Sequence, residues 1–248
     1  MSEHNKRDTM QERRDFLKAG AVMAGATAAS GVLVYSVAHS RAPEEGASAS
    51  KRWGMLIDTS KCGDGCNDCV TACNTENGLS GETGPQDSQY IRKLNIKDLR
   101  NGRVHELPML CQHCENPPCV DVCPTGASMR RADGIVLVDR HICIGCRYCM
   151  MACPYKARSF VHEPLTDQNP EVPRGKGCVE SCTFCVQRVD RDEQPACVEA
   201  CNAKGHQAMV FGDLKDPESA IAKALKSQAS TEVRADLGLN TGVRYQGI

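Results

Sequence analysis

Large side chains are scarce in this chain. Aromatics make up 4% of its 248 residues, with one tryptophan, Trp53, four phenylalanines and five tyrosines. An interior built only from rings and long aliphatic side chains is short of material, so something besides apolar burial has to hold the fold. Neither charge sign dominates: 30 basic residues face 31 acidic ones, a formal net charge of −1. This excludes a basic field for nucleic acid and the acidic excess of a disordered chain. A catalytic constellation is missing too, since His105, His113, His141, His162 and His206 are scattered. The chain does not read as an enzyme with its own substrate site.

Cysteine is what the chain has in excess, at 17 residues, and sixteen of them fall into four groups. The first is Cys62-x3-Cys66-x2-Cys69-x3-Cys73. The second is Cys111-x2-Cys114-x4-Cys119-x3-Cys123-Pro124. The third is Cys143-x2-Cys146-x2-Cys149-x3-Cys153-Pro154. The fourth is Cys182-x2-Cys185-x11-Cys197-x3-Cys201. Cys178 is left over and reads as a spare thiol. The third group has the spacing of bacterial ferredoxins. Three thiolates two residues apart wrap one tight loop and face three irons of one cubane. The fourth sits one helical turn on and faces elsewhere. Disulfides fit poorly, because cysteines two or three residues apart in a loop are badly placed to pair. Zinc ribbons use two separated Cys-x2-Cys pairs, which suits the fourth group but not four cysteines in a row. The sixteen cysteines therefore read as iron ligands of four [4Fe–4S] clusters. A zinc-stapled structural module is the alternative from another class.

The N-terminus carries Arg13-Arg14, then Phe16-Leu17, then Ala19–Ala38 without a charge. This order matches a twin-arginine export signal, with Ala38-His39-Ser40 as a site for cleavage and a retained single-span anchor as the alternative. That route exports folded, cofactor-loaded proteins, which reconciles export with reduced thiolate ligands. Residues 41–52 read as a linker.

Between the motifs, strands are expected at Trp53–Asp58, Ile135–Val138, Ser159–Val161 and Ala208–Phe211. Helical pieces are expected at Val70–Thr75, Val120–Cys123, Met150–Cys153 and Val198–Cys201. Strand, cysteine loop, short helix and strand recur four times, which is an internal repeat whose pairs make ferredoxin-like units. Gly78 to Arg103 and His162 to Lys176 read as solvated connectors. Pro217 to Ser230 reads as a helix with Ile221, Ala224 and Leu225 on one face, and the tail Asp236 to Tyr245 as irregular surface. Arg147 and Arg188 sit beside cysteines and read as surface charge.

The stretch from Trp53 to Tyr245 resembles the four-cluster ferredoxin-like subunits of membrane-bound oxidoreductases. These include electron-transfer subunits of dimethyl sulfoxide, polysulfide and tetrathionate reductases. The likeness rests on Cys111-Gln-His-Cys114, Pro117-Pro118-Cys119-Val120, Cys123-Pro-Thr-Gly-Ala127, Cys143-Ile-Gly-Cys146-Arg-Tyr-Cys149, Ala152-Cys-Pro-Tyr155 and Pro195-Ala-Cys-Val198, with Gly212 to Pro217 and Leu237 to Tyr245 behind them. Within the family, the signal, Arg52-Trp53-Gly54-Met55 and Lys61-Cys-Gly-Asp-Gly-Cys-Asn-Asp-Cys69 look like the iron–sulfur subunit of a Dsr-type membrane complex of dissimilatory sulfur metabolism.

The resemblance implies an α+β fold of two ferredoxin-like [4Fe–4S] modules, loop-rich, the second inserted between the halves of the first. Residues 53–104 and 164–215 would form the split module, 105–163 the inserted one, and 216–248 a C-terminal helix and tail. It also implies exchanged ligand sets: Cys143, Cys146, Cys149 with Cys123; Cys111, Cys114, Cys119 with Cys153; Cys62, Cys66, Cys69 with Cys201; and Cys182, Cys185, Cys197 with Cys73. The first group departs from the family spacing, having three residues where two are expected. The implied role is a periplasmic, membrane-associated relay of single electrons. Its expected partners are an integral-membrane quinone-linked subunit and a redox partner such as a multihaem cytochrome c. The electron-transfer subunit of a molybdopterin reductase is the alternative.

Overall fold

Strand β1 (Trp53–Asp58) has an apolar middle, Gly-Met-Leu-Ile, and is buried from Gly54 onward on both faces. A strand with no polar face needs a neighbour on each edge. In the computed structural model it has both. Strand β8 (Met209–Asp213) pairs with it antiparallel, Met55 opposite Phe211, and β9 (Val243–Gln246) pairs with it parallel, Ile57 opposite Tyr245. The structure describes residues 47–63, 65–79, 84, 86–97, 99–100, 102, 104–166 and 168–248. The expected export segment and its cleavage site lie outside the described residues. Among the described residues no helix is long and apolar enough to cross a membrane.

The chain runs from β1 through a 3-10 turn (Thr59–Lys61) into helix α1 (Asp68–Glu76). A hairpin of β2 (Ile91–Lys97) and β3 (Val104–Leu110) follows, with Ile91 opposite Leu110. Then come α2 (Pro118–Asp121), the small hairpin β4 (Ser128–Arg130) and β5 (Val136–Val138), and α3 (Tyr148–Ala152). The pair β6 (Ser159–Phe160) and β7 (Val179–Glu180) leads to α4 (Val186–Val189) and α5 (Ala196–Ala203). After β8, helix α6 (Ala220–Ser227) opens on Ser219, whose Oγ accepts from Ala222 N at 3.1 Å. That satisfies one of the helix's orphan donors. Helix α1 packs on α5, and α2 packs on α3.

The interior makes up for the missing rings with sulfur. One core joins Met55, Ile57, Leu107, Leu110, Ile135 and Phe184 to Cys69, Cys73, Cys111, Cys114, Cys153, Cys182, Cys197 and Cys201. The few aromatics are placed where they connect layers. Trp53 stacks on Phe211 at 5.3 Å, and Phe211 meets Phe184 edge-on at 5.3 Å. Phe184 stacks on His113 at 3.7 Å.

Three expectations need correction. The tail is not surface coil: Val243 and Tyr245 are fully buried, and Tyr245 Oη donates to Pro108 O at 3.0 Å while accepting from Gln112 Nε2 at 3.1 Å. The alternation Val243, Tyr245 was a period-two signal too short to stand out beside its glycines. Gly78 to Arg103 is not simply a connector, since Ile91–Lys97 is a strand whose inner end is buried. Its hydrophobic residues, Ile91, Leu94 and Ile96, are diluted by charge because the outer end faces water. The segment His162 to Lys176 is pinned rather than free. Arg174 is buried and ion-paired to Glu180 at 2.6 Å, and Asn169 Nδ2 donates to Glu76 O at 3.1 Å.

Candidate metal centres

Two helices, α1 and α5, explain how neighbouring cysteines serve different sites. Residues four apart on a helix lie on one face and about 6 Å apart along its axis. On α1 these are Cys69 and Cys73, and on α5 Cys197 and Cys201, all buried. Cys69 lies with Cys62, Cys66 and Cys201, all of which line one recess of about 330 Å³. Cys73, one turn on, instead interacts with Cys182, Cys197 and Cys185.

The same exchange occurs at the other end. Cys114 interacts with Cys111, Cys119 and Cys153. Cys123, Cys143, Cys146 and Cys149 line a second recess of about 300 Å³. The structure thus brings the sixteen grouped cysteines together as four sets of four. Three thiols of each set come from one group and the fourth from a different group.

The sets follow one another. Cys73 and Cys197 each interact with Cys69, which joins the first set to the second. Cys182 interacts with Cys111, joining the second to the third. Cys119 interacts with Cys149, joining the third to the fourth. Burial changes along this succession. Cys62 and Cys66 are half-buried, all eight thiols of the two middle sets are buried, and Cys146 at the far end is exposed.

Backbone conformation aims the loops. Gly145 has φ 69°, and a Cβ there would stand 2.4 Å from Gly177 O, so only glycine fits. Gly65, at φ 73°, donates its N–H to Glu106 Oε1 at 3.0 Å and turns the longer first loop.

Donors then point at sulfur: Ser128 N at Cys123 Sγ (3.3 Å), Phe184 N at Cys182 Sγ (3.5 Å), Asn77 Nδ2 at Cys73 Sγ (3.6 Å) and Arg158 Nη2 at Cys119 Sγ (3.1 Å). Hydrogen bonds of this kind stabilise electron-rich sulfur. Burial pushes the free thiols up, Cys114 to about 12 with neighbouring thiols adding to it, and Cys62 to about 11 against the opposing charge of Lys93. Such thiols do not ionise at neutral pH unless a cation takes the proton's place, which is the chemistry of an all-sulfur metal site. The donor sets fit [4Fe–4S] clusters: four convergent thiols, a recess between them, and N–H groups facing sulfur.

Other side chains fall into place around the sets. His206 Nε2 lies 3.5 Å from Cys66 Sγ and 3.4 Å from Asp68 Oδ2, at the rim of the first set. His113 is buried between the second and third sets. Its Nδ1 accepts from Val136 N at 3.0 Å, and burial drops its pKa to about 3, so the ring is neutral with its proton on Nε2. Cys178 belongs to no set; its thiol donates to Arg140 O at 3.2 Å, and it lies close to Cys143. Arg188 is held by Glu76, Glu193 and Glu199, and Arg147 lies 3.8 Å over the ring of Phe160. Arg158 was not singled out by the sequence, because nothing in Cys153-Pro-Tyr-Lys-Ala-Arg158 separates it from an ordinary surface arginine.

Two family models match, each described as a 4Fe-4S dicluster domain, over residues 61–127 and 103–214. The chain is 41% identical to the Hdr-like menaquinol oxidoreductase iron-sulfur subunit 1 of Archaeoglobus fulgidus, over 95% of this chain and 98% of that protein. It is 39% identical to a subunit of the tetrathionate reductase of Salmonella typhimurium, over 79% of this chain and 73% of that one. It is 36% identical to a subunit of the sulfite dehydrogenase of Allochromatium vinosum, over 77% of this chain and 81% of that one. The chain belongs to this family of iron–sulfur electron-transfer subunits of oxidoreductase complexes and is not the catalytic subunit. It carries four [4Fe–4S] clusters in two dicluster domains of mixed helix and strand.

Proposed function

We propose that the chain is the periplasmic electron-transfer subunit of a Dsr-type sulfur-metabolism complex, a DsrO-like protein. It would relay single electrons between a membrane quinone-linked subunit and a redox partner. The observation that carries the relay is the succession of four thiol sets, sealed in the middle and reaching the surface at both ends. When bound, each [4Fe–4S] cluster supplies a one-electron site. The chain's own residues space these sites, shield the inner two from water and hydrogen-bond their sulfurs. The sixteen grouped cysteines are the proposed ligands, in the four sets described above.

The packing of α1 on α5 and the pairing of β1 with β8 support one split module, 53–104 with 164–215, and the packing of α2 on α3 supports a second, 105–163, inserted into it. The two ends differ in character. Asp68, Lys93 and His206 line the recess of the first set. Ile144, Tyr148 and Met151, 67%, 58% and 75% exposed, stand around Cys146. We assign that apolar rim to the membrane subunit, because a lasting interface buries apolar area. Arg13-Arg14 and the uncharged run after them support export by the twin-arginine route.

The relative in tetrathionate reductase supports a second reading, the same relay serving a molybdopterin subunit. Gentle solubilisation of membranes and identification of the subunits bound to the tagged chain tests both. A polytopic quinone-linked subunit with a multihaem cytochrome c is the expected result, and a molybdopterin subunit instead would overturn the Dsr-type reading. Cys73→Ser tests the ligand sets. Its cluster damage should appear in the set of Cys182, Cys185 and Cys197; damage confined to the set of Cys62, Cys66 and Cys69 would refute the exchange.

A further inference from the structure

Arg158 has a place in the fold that its sequence context does not explain. It lies just before β6 and is 5% exposed. Its Nη2 donates to Cys119 Sγ at 3.1 Å, and Cys149 lies within its electrostatic reach. Cys119 belongs to the third thiol set and Cys149 to the fourth. Its strongest electrostatic partners are Cys119, Cys111 and Cys149. Among the described residues its Nε and Nη1 find no hydrogen-bond partner at all. A guanidinium is charged at every accessible pH. Burying one with two donors idle is costly unless an anion stands beside it.

We propose that Arg158 is a fixed positive charge set between the third and fourth clusters, tuning both toward higher reduction potential. The inference rests on the ligand sets proposed above. Each cluster takes one electron and passes it on, and no bond is made or broken at Arg158. Added electron density on a thiolate-ligated cluster is stabilised by a nearby positive charge and by N–H donors to its sulfurs. One arginine that reaches Cys119 and Cys149 acts on two clusters at once. Arg147 and Arg188 do not do this: one lies over Phe160, and three glutamates hold the other.

The test is an EPR-monitored redox titration of the cluster-loaded full chain, as wild type, Arg158→Gln and Arg158→Lys. In Arg158→Gln, two of the four midpoints should fall, each by at least tenfold in the one-electron equilibrium constant, about 59 mV. Arg158→Lys keeps the charge and should retain the larger part of both potentials. Four unmoved midpoints in Arg158→Gln would overturn the proposal. So would equal falls in both variants, since shape rather than charge would then be the cause.

Should Arg158→Gln fail to load, pulsed EPR of the wild-type chain carrying guanidino-¹⁵N arginine decides. Hyperfine coupling of that nitrogen to a reduced cluster supports the contact, and its absence refutes it. A wild-type chain with fewer than about sixteen irons would refute the ligand sets instead. That result is read before any variant is made.

Discussion

The ion pair of Arg174 and Glu180 gives the sharpest stability prediction. Both side chains are nearly inaccessible, at 4% and 1% exposure. Arg174 Nη2 donates to Glu180 Oε1 at 2.6 Å, its Nε reaches both carboxylate oxygens at 3.2 Å, and its Nη1 donates to Gly78 O at 3.0 Å. Glu180→Leu removes a carboxylate that accepts three close hydrogen bonds from a buried guanidinium, and breaking a buried pair from one side costs about 3 to 5 kcal/mol. For a fold of this size that lowers Tm by roughly 6 to 20 °C.

The double variant Arg174→Met/Glu180→Leu removes both charges. It forfeits the bond to Gly78 O, about 1 kcal/mol, but leaves neither member of this pair charged and buried without the other. It should therefore be more stable than Glu180→Leu alone by about 2 kcal/mol or more. Thermal melts of the cluster-loaded chains under argon, at one scan rate, measure both. A double variant as unstable as the sum of the singles would refute the reasoning. It would mean that the pair acts through its hydrogen bonds to the 162–176 segment and not as compensated charge.

Gly145→Ala should cost at least about 1 to 3 kcal/mol from its left-handed conformation alone, and the clash with Gly177 O should lower iron content at the fourth set; a fully loaded chain of unchanged Tm would contradict this. Cys178→Ser should leave the iron content unchanged, as measured by iron analysis, because its thiol is bonded to Arg140 O and completes no set. Tyr245→Phe should destabilise by about 1 to 2 kcal/mol in the same melts, through the lost donation to Pro108 O and the loss of an acceptor for Gln112 Nε2, which keeps Leu110 O and the weaker Met109 Sδ.

The chemistry of the sites was more legible than the architecture that carries them. Cysteine spacing is a local signal, and a run such as Cys143 to Cys153 announces a cubane loop because three thiols must reach one cluster within one turn of chain. The four strands and four helices beside the motifs were legible for the same reason, each element abutting its loop. What did not show was anything set by distant pairing. Strand β9 depends on β1, nearly two hundred residues earlier, and its short Val-Arg-Tyr-Gln segment has no pattern of its own beyond two buried positions. Arg174 and Arg158 were invisible because charge in a sequence reads as surface, and only the fold shows that one meets Glu180 and the other meets sulfur. The first group's irregular spacing set its site apart from the others, yet Cys62, Cys66 and Cys69 line one recess with Cys201.

Stability and function draw on the same atoms here. A chain poor in rings has placed eight of its cysteines in the main core, where another protein would have leucine or phenylalanine. These thiols are small and cannot fill the recesses between them. The recess among Cys62, Cys66, Cys69 and Cys201, and its counterpart at Cys123 to Cys149, must be occupied for the core to be close-packed. Clusters are therefore part of the packing, and the metal's binding energy is part of the folding energy. The i, i+4 stubs sharpen the coupling. Helices α1 and α5 each hold one thiol for each of two adjacent sites, so losing one cluster frees a helix that also holds its neighbour. The closeness that brings the sites within reach of one another makes their loss cooperative.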